Sequence, residues 1–216
     1  MEEKAALVVP ENGLFIGNTF RQTWKIFKED WISVYAVFIL PWILMAIYSF
    51  ALSVFKADEG STAYWIIYVA YMILSLVVGM GVTNALMTIS RGKKISLETF
   101  KSVLPKTVNY IASQILMMLI ILGGMILFII PGFIFSIKYM FTPYLVIDKN
   151  MGPIEALKAS AKLTDGVKWD LVGFLFTSVL LMYSGILAIF VGLLVTIPVV
   201  SLSYLVLYNM LVNRKK

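Results

Sequence analysis

Histidine and cysteine are both absent from the 216 residues. Without them there is no thiolate nucleophile, no disulfide, no zinc site of the usual ligand types and no imidazole acid–base catalyst. The missing cysteines also leave the redox compartment unreadable. Charge is scarce as well. Asp, Glu, Lys and Arg make up 14% of the chain, against about 25% in an ordinary soluble domain, while 60% is hydrophobic. A chain with a mean hydropathy of +0.90 cannot cover its surface with polar groups. A cleavable leader is not expected, because Met1-Glu2-Glu3-Lys4 is acidic and the apolar stretch 5–9 is too short for one.

What the chain does have is long apolar runs. Four carry no charge at all: 31–55, 60–90, 107–137 and 171–213. Each exceeds the roughly 20 residues that cross a bilayer core, so the expected class is an all-α polytopic membrane protein. The first two runs read as one span each, 31–55 (with Pro41 inside) and 63–90. The stretch 107–147 would be about 60 Å long as one helix, twice the hydrocarbon thickness. Pro131-Gly132 near its middle is a helix stop and turn, giving 109–130 and 132–147. The final run needs a break too. Ser184, Ala188 and Gly192 share a close-packing face, which places the break near Gly192, with helices 171–192 and 195–213 and Pro198 in the first turn of the latter.

Six spans put both ends of the chain on one side. Lys and Arg number sixteen on that side, in the N-terminal segment, 91–107, 148–170 and the C-terminus, against Lys56 alone in the turns opposite. By the positive-inside rule both termini are expected in the cytoplasm and the chain in the plasma membrane. The formal charge of +6 then reflects attraction to an anionic leaflet rather than to nucleic acid.

Each hairpin is preceded by a short segment of helical periodicity. In 13–29 the stripe is Ile16, Phe20, Trp24, Phe27 and Trp31. In 96–104 Ser96 caps a helix with Leu97, Phe100 and Leu104 on one face. In 153–164 Ile154, Leu157 and Ala161 face inward and Glu155, Lys158 and Lys162 outward. Such helices suit the membrane interface, with Trp24, Trp31, Tyr110 and Trp169 as an aromatic belt. Direct identity between the units is low, so this is an architectural repeat.

The residues from 127 onward carry a resemblance. They read Leu127-Phe-Ile-Ile-Pro131-Gly132-Phe-Ile-Phe-Ser-Ile-Lys138-Tyr139, then Pro143, Asp148, Gly152, Ala156-Leu157, Ser160, Leu163-Thr164, Gly166 and Trp169. With Gly192, Pro198 and Tyr208, this resembles a broad prokaryotic group of uncharacterised six-span proteins related to the membrane domain of glycerophosphoryl diester phosphodiesterases. In the fused enzymes the resemblance implies that chemistry belongs to a separate soluble barrel using histidines and metal-binding acids. No phosphodiesterase activity carries over to a chain without histidine. The group usually shows Arg where Lys138 stands, which keeps the charge and loses the planar fork.

Candidate site residues are few. Lys138 is the single charge within a predicted span, about two turns from the outer end of its helix. It reads either as an anion site, for a lipid phosphate or a carboxylate, or as a lysine snorkelling to the interface. Asn84, Asn109, Ser113 and Gln114, near the inner ends of the second and third spans, either line a polar vestibule together with Thr83 and Thr88 or bond between helices. Arg91, Lys93, Lys94, Lys101 and Lys106 are the expected lipid-headgroup contacts. Asp148, Glu155, Asp165 and Asp170 read as a solvated, self-paired face. Gly79, Gly81 and Gly123-Gly124 read as packing residues. No catalytic residue, cofactor or metal is expected. The reading is a non-catalytic membrane protein whose cytoplasmic amphipathic collar binds anionic lipid or a membrane partner, a second copy of the chain included. The alternative is a small transporter or transporter subunit using the Lys138 region, and a lipid-modifying enzyme is the weakest class.

Overall fold

The computed structural model describes residues 15–187 and 191–214. Within them the chain forms ten α-helices and no strand. They are α1 (Phe15–Glu29), α2 (Trp31–Val54), α3 (Thr62–Ser90), α4 (Leu97–Lys101), α5 (Thr107–Leu127), α6 (Ile129–Tyr139), α7 (Thr142–Lys149), α8 (Pro153–Leu163), α9 (Lys168–Leu187) and α10 (Val191–Arg214). A 3-10 turn, Leu104–Lys106, leads into α5. Six segments are long and apolar enough to cross a membrane, and the chain is a multi-pass membrane protein. The helix pairs α2/α3, α5/α6 and α9/α10 form the three hairpins.

The second hairpin turns earlier than its Pro-Gly pair predicts. Phe128 alone is extended (φ −162°, ψ 150°) between α5 and α6, and Pro131 lies in the first turn of α6. A proline there loses no hydrogen bond, since the first amides of a helix have no partner within it. Gly132 serves packing instead. A Cβ on Gly124 would sit 3.0 Å from the Cα of Gly132, so α5 and α6 close on each other through bare backbone. Nor is 132–147 one helix: it breaks at Met140 and Phe141 into α6 and α7.

The third hairpin also departs from expectation. α9 ends at Leu187 and Gly192 belongs to the first turn of α10, and Pro198 stands two turns inside that helix. Pro198 has no N–H to give the carbonyl of Leu194, four residues back. The Tyr35 hydroxyl from α2 donates to that carbonyl at 2.9 Å instead. Ser184 is exposed, and Ala188 lies outside the described residues. The close contact runs through Gly185, where a Cβ would meet the Gly192 carbonyl carbon at 3.1 Å.

Burial is concentrated at the end where α2 begins and α3 and α10 finish, the basal end. Val34 and Val37 of α2, Ala85 to Ile89 of α3, Val146 of α7, Phe174 of α9 and Leu202 to Leu211 of α10 join one core there. At the opposite end the hairpins expose their apolar residues: Phe50 is 69% exposed and Ile126 84%. Hydrocarbon around such side chains removes the cost of exposure, so these ends need no protein neighbour.

Two connecting helices use faces shifted from the predicted stripes. On α1 the buried line is Thr19, Thr23 and Phe27, while Trp24 and Trp31 are exposed. The partner surface decides this. Ile16 fits against Gly173, Phe20 stacks on Phe174 at 5.5 Å, and the Thr19 hydroxyl donates to the sulfur of Met210 at 3.5 Å. Small threonines let α1 lie close on α10, and the bulky indoles are left at the rim. On α8 the buried face is Ala156, Leu157, Ser160 and Leu163; Ile154 is exposed and Ala161 half-buried.

Candidate functional site

The 91–107 segment returns from the basal end of α3, and two of its cations turn inward. Arg91 follows the last turn of α3. Its Nη1 donates to Asp148 Oδ1 at 2.7 Å and its Nε to Asn209 Oδ1 at 3.1 Å. Asn209 Nδ2 donates to Ser90 Oγ at 2.8 Å, and the Tyr208 hydroxyl donates to Asp148 Oδ2 at 2.9 Å. Lys149 adds a cation 3.7 Å from the same carboxylate. Asp148 is 8% exposed, so its charge is stable only because cation and hydroxyl surround it. The Lys106 ammonium donates to the carbonyl of Ile147. Two cations thus meet the C-terminal end of α7, where the helix dipole favours positive charge.

This cluster ties α3, α7 and α10 together by their ends. Its donors and acceptors are spent on one another, so the arrangement is a clasp. The expectation of a solvated acidic face therefore fails for Asp148, whose burial a count of charges along the sequence does not reveal. Glu155 and Asp165 are exposed, the latter 3.7 Å from Lys168, and Asp170 is half-buried. Arg91, itself partly exposed, and Lys106 turn their charged ends to protein acceptors, whereas Lys93, Lys94 and Lys101 are exposed.

Lys138 lies about two and a half turns from the start of α6, and because that helix ends at Tyr139 it also sits in the last turn, at the break. Its ammonium lies 5.5 Å from the centre of the Tyr139 ring, and the side chain is half-buried. The backbone of this residue is better served than its charge. Ser160 Oγ donates to the Lys138 carbonyl at 3.0 Å and accepts from the Phe141 amide at 3.2 Å. Thr164 Oγ1 also donates to that carbonyl at 3.3 Å. The interrupted ladder between α6 and α7 is therefore completed by α8.

The three amides are not gathered around Lys138. Asn84 Nδ2 donates to the Thr99 carbonyl at 2.6 Å and to Ser102 Oγ at 3.1 Å, fastening the α4 segment to α3. Gln114 donates to the Tyr110 hydroxyl at 3.5 Å while its Oε1 is buried without a partner, and Asn109 is half-buried on α5. Gly81 receives the Phe100 ring, 2.9 Å from where a Cβ would stand, and Gly79 and Gly123 meet nothing within 4 Å.

Reading by charge passed over Ser90, Ser160, Thr164, Tyr208 and Asn209. The available signal was the resemblance itself: Asp148, Ser160, Thr164 and Tyr208 are among the residues that carry it, and all four act at the clasp or the helix break.

No family model matches the chain, and no solved structure matches it. It is similar to an uncharacterised protein of Mycobacterium bovis and one of Mycobacterium tuberculosis, each 29% identical over 147 residues. These matches cover 67% of this chain and 44% of the relatives, so the chain spans less than half the length of the curated proteins it matches. Fold and comparisons together describe a multi-pass membrane protein similar to uncharacterised mycobacterial proteins.

Proposed function

We propose that the chain is a non-catalytic integral membrane protein whose basal rim binds anionic lipid at the cytoplasmic face of the plasma membrane. One observation carries the reading: the basal cations are sorted. Arg91 and Lys106 serve the fold, while Lys93, Lys94, Lys101 and Lys158 stay exposed, as do three tryptophans. Trp24, Trp31 and Trp169 are 45%, 53% and 86% exposed, and Lys28 stands 5.9 Å over the Trp24 ring. Lysines and tryptophans bordering apolar spans fit the headgroup layer of a charged leaflet. The resemblance to six-span proteins related to a phosphodiesterase membrane domain is in keeping with this reading, since for the fused enzymes it implies chemistry in a separate soluble barrel.

The test replaces Lys93, Lys94 and Lys158 by Gln and measures the lipid retained in native mass spectra. Preference for phosphatidylglycerol over phosphatidylcholine should fall by about fivefold for each lysine removed. Unchanged preference overturns the reading.

The transporter alternative draws on the discontinuous α6/α7 pair with a half-buried lysine at the break, a pattern that substrate sites use. Against it, Ser160 and Thr164 already occupy the backbone groups a substrate or ion would take. Lys138→Gln separates the two. The rim reading expects it to fold at least as well as the wild type.

A further inference from the structure

We infer that the cleft between α2, α3 and α4 holds one acyl chain of an anionic phospholipid, whose phosphate is taken by Lys101 at the end of α4. This rests on the lipid reading above and narrows it from a rim to one site. The cleft measures about 280 Å³ and is lined by Leu40, Ile43, Leu44, Ile47, Val78 and Phe100. All six are apolar, and five belong to the long helices α2 and α3. The sixth comes from the short helix α4 and shapes the site. Phe100 stands on Gly81, one turn towards the basal end from Val78, because only a glycine leaves room for its ring. Asn84 holds the backbone beneath it through Thr99 and Ser102. The α4 segment is thereby fixed as a floor on the basal side of an apolar cleft.

That floor is cationic. Lys101 follows Phe100 and is exposed, as are Lys93 and Lys94, with Glu98 the one exposed acid of the segment. The Phe100 ring lines the cleft at the level of Gly81, where the apolar wall meets the lysine-bearing segment. A molecule with an apolar tail and an anionic head satisfies both halves. At the far end the exposed apolar surface adjoins one exposed cation, Lys56, with the acids Asp58 and Glu59 beside it, so no net positive floor forms there.

The experiment uses the full chain in detergent, stripped stepwise of lipid and weighed by native mass spectrometry with phosphatidylglycerol or phosphatidylcholine added. The wild type should hold one phosphatidylglycerol after the others have gone. Val78→Trp and Ile43→Trp fill the cleft from opposite walls, and each should lose that one molecule. Lys101→Gln leaves the packing untouched and should keep a bound lipid while losing about fivefold of its preference for the anionic head. The Lys93, Lys94 and Lys158 triple variant should weaken the loosely held lipids and retain the last one. Retention of the tight lipid in both filled variants, or undiminished preference in Lys101→Gln, overturns the cleft while leaving the rim intact. A triple variant with unchanged loose binding, alongside filled variants that lose the tight lipid, overturns the rim and leaves the cleft.

Discussion

Ser160 has no charge and no exposure to solvent, yet it bridges two backbone groups that helix geometry leaves open. Ser160→Ala strands the Phe141 amide inside the fold, a loss of about 1–3 kcal/mol. Thermal unfolding in detergent should show it as a lowered Tm, with Lys138→Met showing no comparable drop. Asp148→Asn should cost about 1–2 kcal/mol, since it removes the charge from the Arg91 and Tyr208 bonds while Arg91, a third exposed, can still turn to water. A Tm equal to that of the wild type would show that the clasp does not hold α3 to α7. These residues were poorly legible for a physical reason. A sequence displays charges, and the Lys138 ammonium stands out in it, whereas the fold uses the Lys138 carbonyl. The same bias grouped Asp148 with the exposed acids, because pairing with a residue 57 positions away leaves no local pattern.

The helices themselves were far more legible, because an apolar run of more than 20 residues has few other fates. Their ends were less so. Pro131-Gly132 reads as a stop by its usual behaviour, but proline is equally at home in a first turn, and only the approach of α5 shows which use applies. That approach yields a matched pair of tests. Gly124→Ala pushes a methyl into the Gly132 backbone and should destabilise by about 1–3 kcal/mol, whereas Gly123→Ala, which meets open space, should not lower the Tm. Tyr35→Phe tests the third hairpin in the same way. Losing the hydroxyl on Leu194 should cost about 1 kcal/mol, while the same change at Tyr183, exposed on α9, should be neutral. The stripe on α1 was misplaced because hydrophobicity favours Trp24, whereas the tight fit on α10 favours Thr19 and Thr23.

At the scale of the molecule, the six crossings follow from run lengths, but nothing in those lengths says that one end is packed and the other open. Which side that packed end faces is set by the basic residues, and the absence of cysteine makes it measurable. Single cysteines at Glu59, Lys94 and Lys158, all exposed, should sort by side. Only Glu59→Cys should react with an impermeant thiol reagent applied outside intact cells; reaction at Lys94→Cys would reverse the orientation.

The clasp has a bearing on how the chain is made. Arg91 and Asp148 leave the ribosome well before their shared partners, Tyr208 and Asn209, do. Until α10 follows, the nascent hairpins have a charged pair without its neutral companions and a core without its central helix. Insertion can proceed pairwise, but consolidation must wait for the final crossing. Chains arrested at residue 190 should therefore be inserted yet remain open to protease at 91–107 and 148–170, and those sites should become protected together once α10 has entered the bilayer.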